Sequence, residues 1–91
     1  MSDYTNVCIT NLKVLNELSW ILECIASTYT GEAKSGISYL KTQLDTEKYP
    51  LHTALIASLD KIVAFLQSGN TVKAAQYLSV EIRRRWDEIL S

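Results

Sequence analysis

His52 is the sole histidine of the 91-residue chain, so imidazole-based acid–base or metal chemistry would have to centre on it. Neither a second histidine nor a motif-spaced cysteine accompanies it. A residue just after Pro50, near a helix start, is expected to face solvent or to hydrogen-bond locally. Cys8 and Cys24 are the two thiols. On one continuous helix they would lie about 24 Å apart along the axis, too far for a disulfide, and are expected as reduced, packed side chains. A zinc site would need clustered histidines to complete its ligand set. The carboxylates Glu17, Glu23, Asp45, Glu47, Asp60, Glu81, Asp87 and Glu88 are scattered, and none forms the Glu-x-x-His pair of a di-metal bundle. Gly31, Gly36 and Gly69 do not gather into a phosphate loop, and no serine sits in a nucleophile elbow. The expectation is a protein without catalytic residues, metal or cofactor.

Arg83-Arg84-Arg85 is the one charge run, and phosphate binding is the chemistry it could perform. Successive helical residues splay by roughly 100°, so the three guanidinium groups cannot line one face. Glu81, Asp87 and Glu88 lie within helical reach, which favours a solvated, salt-bridged helix end. Nine basic against ten acidic residues give a formal charge of −1. Such a balance supplies no general field toward nucleic acid or an anionic membrane.

Large side chains on the wrong side of their helices carry more information. Trp20 projects roughly 180° from the stripe of Leu15, Leu18, Leu22 and Ile25, on a face with Ile9, Lys13, Asn16 and Glu23. Tyr77 and Val80 lie beside Lys73 and Arg84, opposite Leu78, Ile82 and Trp86. Exposed aromatics next to cations are enriched at protein interfaces. Trp20, Ile9, Lys13, Tyr77, Val80 and Arg84 are therefore the candidate partner-binding residues. The competing reading buries the first helix on two sides and hides Trp20 inside the fold.

The elements that must position these residues are helical. A stripe from Val7 and Cys8 through Val14, Leu15, Leu18, Ile21, Leu22, Ile25, Ala26 and Tyr29 predicts a long helix over about Thr5 to Tyr29, interrupted at Asn11. Thr30 and Gly31 break it. Ala33, Gly36, Ile37, Leu40 and Leu44 predict a second helix over about Glu32 to Thr46, in which Gly36 implies a close helix crossing. Leu55, Leu59, Ile62, Val63 and Leu66 predict a third over about Leu51 to Ser68, with Pro50 in its first turn. A fourth, over about Thr71 to Leu90, is expected to bury Ala74, Ala75, Leu78, Ile82, Trp86 and Ile89. Short turns make neighbours antiparallel. The fold class is all-α: one domain over 1–91 of two αα-hairpins, about 5–46 and 51–90, forming a compact bundle or stacked hairpins.

Gly31, Gly36, Tyr39 and Leu40 return thirty-eight positions later as Gly69, Ala74, Tyr77 and Leu78, which suggests two copies of one hairpin. In that alignment each leading glycine ends a helix. The offset misses the roughly 34-residue period of tetratricopeptide arrays, and Trp20 has only Ser58 opposite it, so no family is assigned.

No apolar run approaches the roughly 20 residues of a membrane span, and Met1-Ser-Asp-Tyr-Thr lacks the order of a secretory signal. A cytoplasmic location is expected. The leading functional expectation is a small adaptor that holds, inhibits or neutralises one protein partner, in the manner of a chaperone, immunity protein or inhibitor. A self-assembling homodimer is the alternative, with the same aromatics meeting across a two-fold axis. A helix-turn-helix DNA binder is less favoured, because Tyr77, Val80 and Glu81 precede the arginines on the would-be recognition helix.

Overall fold

The computed structural model describes residues 3–45, 47 and 51–90, with side chains at 12–45, 47 and 52–87. It contains four helices, α1 (Asp3–Ala26), α2 (Thr30–Gln43), α3 (Leu51–Gln67) and α4 (Thr71–Leu90), and no strand among the described residues. Backbone packing joins α1 to α2, α3 to α4, α1 to α4 and, least extensively, α2 to α3. The four therefore close a ring whose diagonal pairs stay apart. The molecule measures 43 × 23 × 17 Å. Its long axis exceeds the roughly 36 Å that 24 helical residues span.

Periodicity builds the core as expected. Val14, Leu15, Leu18, Ile21, Cys24 and Ile25 of α1 are buried. They meet Ala33, Ile37 and Leu40 of α2, Leu55, Leu59, Ile62 and Leu66 of α3, and Ala74 and Leu78 of α4. Each large apolar side chain so buried contributes about 1.5–3 kcal/mol at most. Across the less extensive α2–α3 edge, Lys41 Nζ meets Asp60 Oδ1 at 2.6 Å. Both side chains are solvated, so this pair is worth at most about 1 kcal/mol.

The two hairpins share one turn geometry. The Tyr29 N–H donates to the Cys24 carbonyl at 2.8 Å, and the Asn70 N–H donates to the Phe65 carbonyl at the same distance, each closing a six-residue Schellman-type loop. The next helix then begins alike, with the Ala33 N–H on the Tyr29 carbonyl and the Ala74 N–H on the Asn70 carbonyl. The residue in the left-handed region is Thr28 (φ 66°) in the first turn and Gly69 (φ 79°) in the second. Equivalent residues are thus forty-one positions apart: Leu18 with Leu59, Ile21 with Ile62, Thr28 with Gly69, Ala33 with Ala74 and Ile37 with Leu78.

The thirty-eight-residue echo is corrected accordingly. Alignment on the glycines misplaces it, because Gly31 does not end a helix. It lies within the first turn of α2, and a Cβ there would meet nothing within 4 Å. Several helix boundaries also differ from the expected ones, beginning with α1 at Asp3 rather than Thr5. α1 stops at Ala26 and α2 starts at Thr30, which leaves Tyr29 exposed at the N-cap of α2 rather than on a core stripe. Ala26 is exposed as well. α2 ends at Gln43 and α3 at Gln67, short of Thr46 and Ser68. Asn70 caps α4 by accepting from the Lys73 N–H at 3.2 Å, whereas Tyr29 makes no side-chain cap.

The face assigned to α4 also needs correction. Ala74 and Leu78 are buried as expected, but the row continues through Glu81 and Arg85, each only 2 % exposed. Trp86, expected inside, is 46 % exposed. Both rows pass through Leu78, and an apolarity count prefers Ile82 and Trp86. The close seat of Ala74 against the core and the bond from Ser58 to Glu81 turn the helix so that Glu81 and Arg85 are sealed, Ala75 and Ile82 pack at the core's edge as expected, and Trp86 is left outside. Arg85 is therefore not part of a solvated helix end, while Arg83 and Arg84 remain exposed. The expectations for the side chains of Ile9, Cys8, Asn11, Pro50 and Ile89 lie outside the described side chains.

Candidate functional site

Gly36 holds the key position of the outer α1/α2 face. A Cβ on it would fall 2.6 Å from Trp20 Cζ3 and 3.1 Å from Ile21 Cγ1, so the missing side chain is a notch into which the indole leans. The close approach expected at this glycine is real, but an indole rather than a crossing backbone occupies it. Trp20 keeps 46 % of its surface in solvent. Around it Asn16, Glu17, Ser19, Glu23, Ser35, Gly36 and Tyr39 line a groove of about 620 Å³. Its two charged lining residues, Glu17 and Glu23, are both acidic. Tyr39 is exposed, and sequence reasoning passed over it as a site residue. Its spacing from Gly36, one turn along α2, was the available clue.

In the second hairpin the repeat places Tyr77 where Gly36 stands and Lys61 where Trp20 stands. Tyr77 is half-buried rather than free on the surface. Its ring centroid lies 6.1 Å from that of Phe65 at an interplanar angle of 58°, and Lys61 Nζ sits 5.8 Å from it on the other contact. Tilted aromatic pairs and ammonium–ring contacts of this kind each contribute roughly 0.5–1.5 kcal/mol. Phe65, Lys73, Gln76, Tyr77 and Val80 border a shallower hollow of about 310 Å³, with Val80 exposed at its rim. Gln76, Tyr77 and Val80 are the repeat equivalents of Ser35, Gly36 and Tyr39. The Trp20 group and the Tyr77–Val80 group are thus one position of the hairpin used twice, concave and acidic in one copy, filled and basic in the other.

The remaining candidates do not join either patch. Lys13 is exposed but borders a different hollow with Val14, Glu17, Leu40, Gln43, Leu44 and His52. Arg84 Nη1 reaches Glu81 Oε1 at 3.3 Å along α4. His52 is buried and locally bonded, its Nδ1 accepting the Asp45 backbone N–H at 3.1 Å. That bond links the chain after α2 to the first turn of α3.

Glu81 is the focus of an ionic cluster whose pairing with the arginines the sequence anticipated, but whose burial and tie to Ser58 it did not. Ser58 Oγ donates to its Oε1 at 3.0 Å, and Arg85 Nη2 lies 3.6 Å from its Oε2. The repeat equivalents of Glu81 and Arg85 are Leu40 and Leu44, so the second hairpin carries a charge pair where the first carries leucines. Elsewhere in the core, burial pushes the Cys24 thiol above its ordinary pKa, and the nearby Glu32 and Glu23 carboxylates add to the effect. Among the described residues no three His, Cys, Asp or Glu side chains gather where they could hold a metal ion. No helix there is long and apolar enough to cross a membrane. Searches against family models, curated proteins and solved structures find no match to the chain.

Proposed function

We propose that the chain is a small non-catalytic adaptor that engages another protein through the groove between α1 and α2, holding or neutralising it. The observation that carries this reading is the seating of Trp20. A glycine is kept at position 36, at a helix-propensity cost of about 1 kcal/mol, and the indole it admits stays half in solvent beside exposed Tyr39. Core packing alone would favour a side chain that closed the notch, as Tyr77 does in the second hairpin. Rigid aromatic surface in a concave setting is the chemistry of interface anchors.

A photoreactive phenylalanine derivative at Tyr39, expressed in the native host, tests the proposal. The expected result is one dominant adduct with a different protein, lost on Trp20→Ala and absent when the probe replaces Ala57, exposed on α3. An adduct pattern indifferent to Trp20, or the same from both positions, would refute it.

A further inference from the structure

We propose that the protein also associates head to tail with a second copy of itself, the basic α3/α4 patch of one copy seated in the acidic α1/α2 groove of the next. This goes beyond the adaptor reading, which concerns a different protein that would compete with the second copy for the same groove. The argument rests on complementarity between two surfaces of the same chain. The groove is concave, walled by Trp20 and Tyr39, and its charged lining residues are Glu17 and Glu23. The patch presents Val80 beside the half-buried Tyr77, with Lys73 in its lining and Lys61 over the ring. No carboxylate lines the patch and no cation lines the groove.

The ring order places the two surfaces on opposite edges, α1/α2 and α3/α4. A two-fold dimer cannot satisfy both contacts from opposite edges, so the contact is heterologous and leaves one groove and one patch open at the ends of every assembly. Both hollows are small, which puts the contact in the weak class that buries less than about 1,200 Å². Its charge component is screened by salt.

Sedimentation velocity of the whole chain from micromolar to millimolar concentration tests the idea. The weight-average mass should climb past that of a dimer at low salt and fall back at about 0.5 M salt, where the screening length is about 4 Å. Glu23→Lys and Lys73→Glu, both at exposed positions, should each abolish the climb with unchanged helical circular dichroism. An equimolar mixture of the two should associate again, because each variant supplies the surface the other lacks and the reversed groove and reversed patch are themselves opposite in charge. If Lys73→Glu loses helicity, Val80→Glu serves as the patch-blocking variant. A wild type that stays monomeric, or a mixture that does, overturns the proposal. A monomer that still gives the Tyr39 adduct leaves the adaptor reading standing while removing this one.

Discussion

Replacing Glu81 by leucine installs the residue that Leu40 supplies at the equivalent place in the first hairpin, yet it should destabilise the fold. The carboxylate is 2 % exposed and sits 3.6 Å from the equally buried Arg85 and 3.0 Å from Ser58 Oγ. Breaking a buried pair from one side costs about 3–5 kcal/mol, and an unmet hydroxyl adds about 1. Burying leucine in the same space returns about 1.5–3 kcal/mol, so the net loss should be about 2–4. A chain of this length is stable by only about 5–14 kcal/mol, so the melting temperature should fall by roughly 10–25 °C. The decisive comparison is Glu81→Leu/Arg85→Leu, which restores the pattern of Leu40 and Leu44 on both positions. With both charges gone the desolvation penalty goes with them, and the double variant should match or exceed wild type by up to about 4 kcal/mol. Urea unfolding followed by circular dichroism at each corner of this double-mutant cycle measures the coupling. A single variant as stable as wild type would show that water screens the pair, and a double variant no better than the single would place the loss in packing instead. Either result refutes the reasoning.

The other predictions concern the turns, the notch and the thiol. Thr28 holds a β-branched side chain at φ 66°, where the second turn uses glycine, and Tyr29 leaves α2 without the side-chain cap that Asn70 gives α4. Thr28→Gly and Tyr29→Asn should therefore each raise stability by about 0.5–1 kcal/mol in thermal melts. Gly36→Ala gains about 1 kcal/mol of helix propensity but drives a methyl into Trp20 and the fully buried Ile21. Overpacking of about 1–3 kcal/mol should leave it slightly destabilised. In a Trp86→Phe background, emission should shift to the red as the indole swings into water. Cys24 should react slowly with a thiol reagent at neutral pH while the chain is folded, and rapidly in denaturant. Because its folded pKa is raised, the stability it contributes is complete at pH values below the unfolded thiol pKa, about 8.5, and is lost as pH rises from there through the folded value. Stability measured across alkaline pH checks that sign.

Hydrophobic periodicity by itself determined the four helices, the two hairpins and most of the core, because a stripe at 3.6-residue spacing has one way to leave water. It also picked out Trp20 and Val80, whose angles on their helices put them away from those stripes. Tertiary structure decided what periodicity leaves degenerate. Two rows through Leu78 were open to α4, and the bond between Ser58 and Glu81, a long-range pairing invisible in the chain order, selected the polar one. The repeat register was likewise hidden, since Thr28 occupies a left-handed position that composition assigns to glycine. Only when that turn was placed did Gly36 fall opposite Tyr77, and the two separate aromatic groups become one surface position, acidic in one hairpin and basic in the other. Local pattern specifies which face of a helix is apolar; which neighbour meets it, and what charge that leaves outside, depends on contacts between residues far apart in sequence.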